Sequence, residues 1–457
     1  MTQTRRRLLA LLATTAMVAA GPPALAAPAR RKPNFIIILC DDLGYGDIEP
    51  TGGKTIPTPN LNRMARQGTL LTDYYAPQNL CTPSRAGLLT GRYPIRSGLA
   101  WGVILQGDKR VLPTSEVTIP QALKPAGYVS GLFGKWHLGH KGPDWQPTRH
   151  GFDTFFGIPY SHDMMPLTLI TDTGPDVAPT FAEPVLSELQ QQFYDKAIDF
   201  IETHKDRPFF VELALSAPHI ENYPNAKYRD PKMQSAYGEV VEEIDQIVGR
   251  LMAKLHELDL ERDTLVVFTS DNGPFFEGSS GVLRDRKGGA GYDGGYRVPC
   301  IAWQPGTVPA GRRCGSIAMG IDFLPTFCAM AGLPAPAGVT LDGKDITDVL
   351  MRGAPSPHEA LLLFDDEEVT AVRTQRWKFV ATANYHGHVL ATDPKYLQLY
   401  DVAADPSESY SVHERHPDVL ADLRGKLVEA RATFGPLKKS KPAFGGASGG
   451  IDPPRQD

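Results

Sequence analysis

Three short runs of the chain are almost wholly apolar: Asn34–Cys40 (NFIIILC), residues 209–215 (FFVELAL) and residues 265–270 (LVVFTS). Runs of this length fit strands buried on both faces, as in a parallel sheet covered by helices. Between them the apolar period changes. Phe193, Ala197, Phe200 and Ile201 recur at helical spacing, and so do Tyr237, Val240, Val241, Ile244, Ile247, Val248, Leu251, Leu255 and Leu258. This alternation predicts an α/β fold, a large mixed, mostly parallel sheet sandwiched by helices. Residues 298–303 and the segment Asp322-Phe323-Leu324-Pro325-Thr326 complete a large domain expected over residues 33–355.

After Ala354-Pro355-Ser356-Pro357, which reads as a linker, the pattern shifts again. Residues 369–380 and 396–402 alternate as strands. Residues 419–434 read as a helix with Leu420, Leu423, Leu427 and Val428 on one face. A smaller C-terminal α+β domain with an antiparallel sheet is expected over residues 356–434. Residues 435–457, rich in Gly, Pro, Lys and Ser, read as a disordered tail.

The first residues form another pattern. Thr4-Arg5-Arg6-Arg7-Leu8-Leu9 is a charged, twin-arginine-like start, an apolar stretch runs to Ala20, and Ala24-Leu25-Ala26 is a small-x-small cleavage site. Residues 1–26 are expected to be a signal peptide read by export machinery, with the mature chain starting at Ala27 in the periplasm or beyond. Gly21, Pro22 and Pro23 stop the apolar stretch short of the ~20 residues a membrane span needs. No stable membrane insertion is expected.

Composition narrows the classes further. The chain has 457 residues, 42% hydrophobic and 22% charged, which is ordinary for a globular protein. The net charge of −5 argues against nucleic-acid binding, which needs a basic face. The five cysteines, Cys40, Cys81, Cys300, Cys314 and Cys328, are odd in number and form no CxxC pair, so no zinc or disulfide framework is indicated. Cys40 and Cys300 sit in apolar runs and read as small core residues.

Chemistry concentrates at the ends of the apolar runs. Asp41-Asp42 follows the first and Asp271-Asn272 follows the third. Ligands of open α/β sheets bind beyond the carboxyl ends of the strands. Each pair alone fits a turn or helix cap. Together they offer three carboxylates and an amide oxygen, a set suited to a hard divalent cation, Ca2+ or Mg2+. Cys81 opens the stretch CTPSRAGLLTGR. Pro83 suits a first helical turn and Gly91 a helix end, so the thiol lies at a helix N-terminus that favours an anion. Arg85, one turn in, adds a planar fork for sulfate, phosphate or carboxylate.

This stretch resembles the signature of the sulfatases, Cys-x-Pro-Ser-Arg followed by Thr-Gly-Arg, matched at Cys81, Pro83, Ser84, Arg85, Thr90, Gly91 and Arg92. The resemblance implies that Cys81 is converted to formylglycine by a formylglycine-generating enzyme, and that the hydrated aldehyde is the nucleophile. It also places residue 81 with Asp41, Asp42, Asp271 and Asn272 around the metal, and favours Ca2+ over Mg2+. GKWHLG, residues 134–139, is similar to the segment whose lysine touches sulfate and whose histidine touches the hydrate, which implies those roles for Lys135 and His137.

GIPYSHD, residues 157–163, resembles the arylsulfatase A and N-acetylgalactosamine-6-sulfatase branch, where the serine, here Ser161, lies near the nucleophile. His162 fits either a substrate contact or a structural group. Ala217-Pro218-His219 resembles the third catalytic segment, with His219 as sulfate ligand and general acid. Glu221 stands where the family often has proline. Lys287, before a glycine-rich stretch ending in Arg297-Val298-Pro299, matches the lysine that bridges sulfate and leaving-group oxygen.

The resemblance runs from Asn34 to Pro325 and more faintly from Tyr400-Asp401 to Pro406. It implies the alkaline phosphatase superfamily and hydrolysis of a small-molecule or carbohydrate sulfate ester. Two other readings stay open at this point. One is a phosphonate monoester or phosphodiester hydrolase on the same fold; the other is a non-catalytic sulfo-ligand binding protein in which Cys81 remains a thiol.

Overall fold

The computed structural model describes residues 31–439 apart from 230, 231, 234, 386 and 387. The expected signal peptide and the residues from 440 onward lie outside the described residues. A ten-stranded sheet runs in the order Arg312–Cys314, Thr69–Leu71, Cys300–Trp303, Thr264–Ser270, Asn34–Cys40, Phe209–Ala214, Val129–Lys135, Thr154–Ile158, Leu169–Asp172 and Thr180–Ala182. The middle of this order is parallel, with Asn34–Cys40 in register against both Thr264–Ser270 and Phe209–Ala214. The flanking strands Cys300–Trp303 and Leu169–Asp172 pair antiparallel to their inner neighbours. The expected mixed, mostly parallel sheet is present.

Strand Asn34–Cys40 is continuous in apolar character because both its faces are covered. Ile36, Ile38 and Cys40 join the core under the helices Leu189–His204 and Ala236–Glu257. Phe35, Ile37 and Leu39 join the core under Cys81–Thr90 and Phe323–Met330. Each fully buried isoleucine or leucine contributes about 2 kcal/mol of transfer free energy. All five cysteines are buried and free. Among the described residues no helix is long and apolar enough to cross a membrane.

The C-terminal part forms a four-stranded antiparallel sheet, ordered Leu361–Asp365, Glu368–Arg373, Trp377–Val380 and Gln398–Asp401. Helix Pro417–Phe434 buries Leu420, Leu423 and Leu427, as the pattern predicts, and continues that face through Ala430 and Phe434. Val428 does not belong to it and is 67% exposed. Steps of three and four residues keep 420, 423, 427, 430 and 434 in line, and 428 falls one helical step off. The helix runs directly into a 3-10 turn at Gly435–Leu437. Tyr75, Tyr93, Tyr292 and Tyr296 from the first part of the chain share a core with this sheet.

Candidate active site

Four central strands deliver side chains to one edge. Asp41 and Asp42 follow Cys40, Asp271 and Asn272 follow Ser270, Lys135 ends its own strand, and His219 lies five residues beyond Ala214. The backbone is bent to do so. Asp42 and His137 have φ of 67° and 58°, a left-handed conformation that costs a non-glycine residue on the order of 1 kcal/mol and concentrates at functional sites.

Cys81 is the first residue of helix Cys81–Thr90, which ends at Gly91 with φ 68° and a Gly91 N–H bond to the Gly87 carbonyl, as its sequence predicts. Cys81 Sγ lies 3.4 Å from Asp41 Oδ1 and 3.9 Å from Asp42 Oδ1. Lys135 Nζ donates to Asp41 Oδ2 and to Ser161 Oγ. Lys287 Nζ donates to Asp42 Oδ2 at 2.8 Å, and His219 Nε2 lies 3.7 Å from the same oxygen. His137 reaches the group differently. Its carbonyl accepts from Thr82 Oγ1 (3.0 Å) and its Nε2 lies 3.0 Å from the Ile104 carbonyl oxygen. Its Nδ1 is buried without a partner. Cys81, Arg85, Lys135, Ser161, His219 and Lys287 with Asp41, Asp42, Asp271 and Asn272 therefore belong to one linked group, buried except for the partly buried Lys287, and His137 joins it through Thr82, the neighbour of Cys81.

Arg85 is placed differently from the expectation of an anion fork. Its Nε (2.9 Å) and Nη2 (2.8 Å) both face Asp271 Oδ2, and Nη1 donates to the Lys135 carbonyl at 2.9 Å. It braces one carboxylate and the end of the Lys135 strand. His140 and Arg286 are likewise spent on backbone: His140 Nε2 lies 3.0 Å from the Gln106 carbonyl oxygen, and Arg286 Nη1 bonds the Phe275 and Phe276 carbonyls.

Electrostatics separates the members. Burial pushes Asp41 up, but Lys135, His219 and Arg85 outweigh it and hold the carboxyl well below its ordinary range. Burial, then the charge of Asp41, pushes Asp271 up to about 7, because only Arg85 among the cations contacts it closely. Burial, then Lys135, keeps His137 well below 6.5 and so neutral at neutral pH. Burial, then Asp41, pushes the Cys81 thiol well above 9.0. An unmodified Cys81 is thus not a thiolate at neutral pH and is a poor nucleophile.

The donor set suits a metal by its own chemistry. Asp41, Asp42, Cys81 and His219 present ligand atoms within 4.8 Å of one another, all buried. Asp271 Oδ1 accepts the Asp42 N–H, and Asn272 Nδ2 donates to Asp42 Oδ1. Asn272 Oδ1 is buried without a hydrogen-bond partner, an orphaned acceptor that a cation would satisfy. The fit is good, with one change to the sequence argument. Three carboxylates alone do not demand a cation, because Arg85, Lys135 and Lys287 already balance them. Adding a dication instead leaves surplus positive charge, which an anionic substrate would complete.

One contributor escaped the sequence reading. The Ile104 carbonyl that meets His137 is a backbone atom and carries no side-chain signal.

The sulfatase family model matches residues 33–333, and the model described as N-sulphoglucosamine sulphohydrolase, C-terminal, matches residues 289–433. Arylsulfatase A of Homo sapiens is 36% identical over 474 residues, covering 92% of this chain and 93% of that protein. N-acetylgalactosamine-6-sulfatase of Mus musculus is 36% identical over 356 residues, covering 72% of this chain and 68% of that protein. The crystal structure of the PsFucS1 sulfatase from Pseudoalteromonas sp. superposes with a TM-score of 0.82 at 30% identity, covering 89% of this chain and 91% of that one. With the family model matching residues 33–333 and relatives matched along most of the chain in sequence and fold, the chain belongs to the sulfatase family and is a sulfuric ester hydrolase.

Proposed function

We propose that the chain cleaves a small-molecule or carbohydrate sulfate monoester through the hydrate of a formylglycine made from Cys81, beside a divalent metal, releasing alcohol and inorganic sulfate. The observation that carries this reading is the position of Cys81, 3.4 Å from Asp41 and inside the group formed by Lys135, Lys287, Arg85 and His219. The formylglycine hydrate supplies a nucleophilic hydroxyl that the buried, high-pKa thiol does not. Asp41, Asp42, Asp271 and Asn272 with residue 81 would hold the metal, Ca2+ in preference to Mg2+, which supplies fixed positive charge against sulfate oxygens.

The chain's own side chains divide the remaining work. Lys135 and Lys287, held by Asp41 and Asp42, present preorganised ammonium groups to the sulfate. Arg85 keeps Asp271 in place. Lys287 meets the bridging oxygen, and His219 gives a proton to the departing alcohol. His137, neutral through burial and with Nδ1 unpartnered, accepts a proton from the hydroxyl at residue 81. Ser161 orients Lys135 through its hydroxyl.

Cys81 is 1% exposed, so a formylglycine-generating enzyme has to act before this fold closes. Export to the periplasm or beyond belongs to the same proposal and rests on the Arg5-Arg6-Arg7 start and the Ala24-Leu25-Ala26 site. The test against a phosphoryl hydrolase is parallel kinetics on a nitrophenyl sulfate and a bis-nitrophenyl phosphate. A kcat/KM higher on the sulfate supports the reading; a higher value on the diester overturns it.

A further inference from the structure

Lys287 sits in an unusually permissive stretch. Gly288, Gly289, Gly291, Gly294 and Gly295 follow it, and Gly288 and Gly291 have φ of 72° and 78°. Glycine loses more backbone entropy on ordering than any other residue, so such a loop does not hold a lysine in place by itself. Within the loop, the Gly288 N–H bonds the Asn79 carbonyl, Asn79 Nδ2 bonds the Gly289 carbonyl and the Gly294 N–H bonds the Arg284 carbonyl. Both ends are also tied to Glu408, in the segment that follows the last strand of the small C-terminal sheet. Glu408 Oε2 accepts the Asp293 N–H at 2.7 Å, at the far end of the loop. The Glu408 carbonyl accepts from Arg284 Nη1 at 2.8 Å, at the near end. The Arg284 guanidinium also lies 3.9 Å over the Tyr292 ring.

Lys378, from strand Trp377–Val380, ties the two carboxylates together, with Nζ 2.6 Å from Asp293 Oδ1 and 2.7 Å from Glu408 Oε1. Lys378, Asp293 and Glu408 are all 0% exposed. Glu408 has φ 51°, a strained conformation for glutamate that its contacts must maintain. None of these groups touches the Cys81 cluster. Between the two anchored ends lies Lys287, whose N–H bonds the Pro274 carbonyl and whose Nζ bonds Asp42.

We infer that Glu408, tied to Lys378, is a positioning residue that clasps both ends of the glycine-rich loop and so sets Lys287 against the leaving-group oxygen. The inference rests on the role proposed above for Lys287. A group that stabilises the leaving oxygen matters most when the leaving alcohol is a weak acid. Displacing such a group by about 1 Å costs on the order of a hundredfold in rate. A loss that works through Lys287 therefore grows as the leaving phenol becomes more basic, whereas a loss of folded protein lowers every substrate by one factor.

The experiment is kcat and KM for wild type, Glu408→Ala, Glu408→Gln, Lys287→Ala and the Glu408→Ala/Lys287→Ala double variant, on aryl sulfates from nitrophenyl to unsubstituted phenyl. Glu408→Ala is expected to lose about tenfold in kcat/KM on nitrophenyl sulfate and about a hundredfold on phenyl sulfate, mostly in kcat. Glu408→Gln, which keeps an acceptor for the Asp293 N–H, is expected to lose less with the same trend. The double variant is expected to fall within about threefold of Lys287→Ala, because the two act as one unit. Equal losses on all phenols, or losses that multiply in the double variant, overturn the inference. If Lys287→Ala steepens with the phenol and Glu408→Ala does not, the clasp alone is wrong. If Lys287→Ala shows no dependence on the phenol, the leaving-group role of Lys287 is wrong and the inference falls with it.

Discussion

Glu212 lies mid-strand in Phe209–Ala214, in register with Ile37 on one side and Leu132 on the other, and is 5% exposed. Its Oε2 has no hydrogen-bond partner. Burial, opposed by the charge of Arg85, pushes the carboxyl from 4.5 to about 7. Below pH 4.5 the group is protonated in both folded and unfolded chain and costs nothing. Between 4.5 and about 7 the unfolded chain ionises it and the folded chain does not, so stability falls as pH rises. Above about 7 the loss is complete. At 1.36 kcal/mol for each pH unit, it amounts to about 3 kcal/mol.

Glu212→Gln keeps the size and removes the ionisation. The variant is expected to match wild type near pH 4.5 and to become more stable than wild type by about 3 kcal/mol at pH 8. Urea unfolding of both proteins at pH 5, 6, 7 and 8 reads this directly. A stability difference that does not change with pH, or a wild type that outlasts the variant at pH 8, refutes the assignment of Glu212 as a strained buried acid.

Three further outcomes follow from the same geometry. Cys81→Ser abolishes sulfate release without unfolding the protein, since the serine hydroxyl occupies less space than the thiol beside Asp41 and Asp42; retained turnover would remove residue 81 from the chemistry. Prolonged chelation of the purified enzyme suppresses activity, and Ca2+ restores it more fully than Mg2+; full activity in a metal-free sample, verified by elemental analysis, contradicts the metal assignment. Arg85→Lys replaces a fork by a point charge and loosens Asp271, weakening Ca2+ affinity by about 10–100-fold; unchanged affinity would show that Asp271 needs no brace.

Much of this site was legible before the fold. The apolar runs place strands, strand ends place Asp41, Asp42, Asp271 and Asn272, and Pro83 and Gly91 bound the Cys81 helix, because these are local signals. What sequence could not supply was long-range pairing. Arg85 reads as an anion fork until Asp271, 186 positions away, takes its guanidinium. Nothing local in the sequence marks Lys378 and Glu408 before their burial against Asp293 is seen. The charge balance changed for the same reason, since Lys135 and Lys287 meet the carboxylates only in three dimensions. Val428 was misplaced by a smaller effect, one helical step at the edge of an otherwise correct apolar face.

The most direct test of the account is the mass of the tryptic peptide carrying residue 81, measured on active enzyme from its native host alongside sulfate release. The account predicts a peptide that has lost one sulfur and two hydrogens and gained one oxygen relative to cysteine, present in proportion to activity across preparations. Full sulfatase activity from protein in which residue 81 is entirely unmodified cysteine would contradict it.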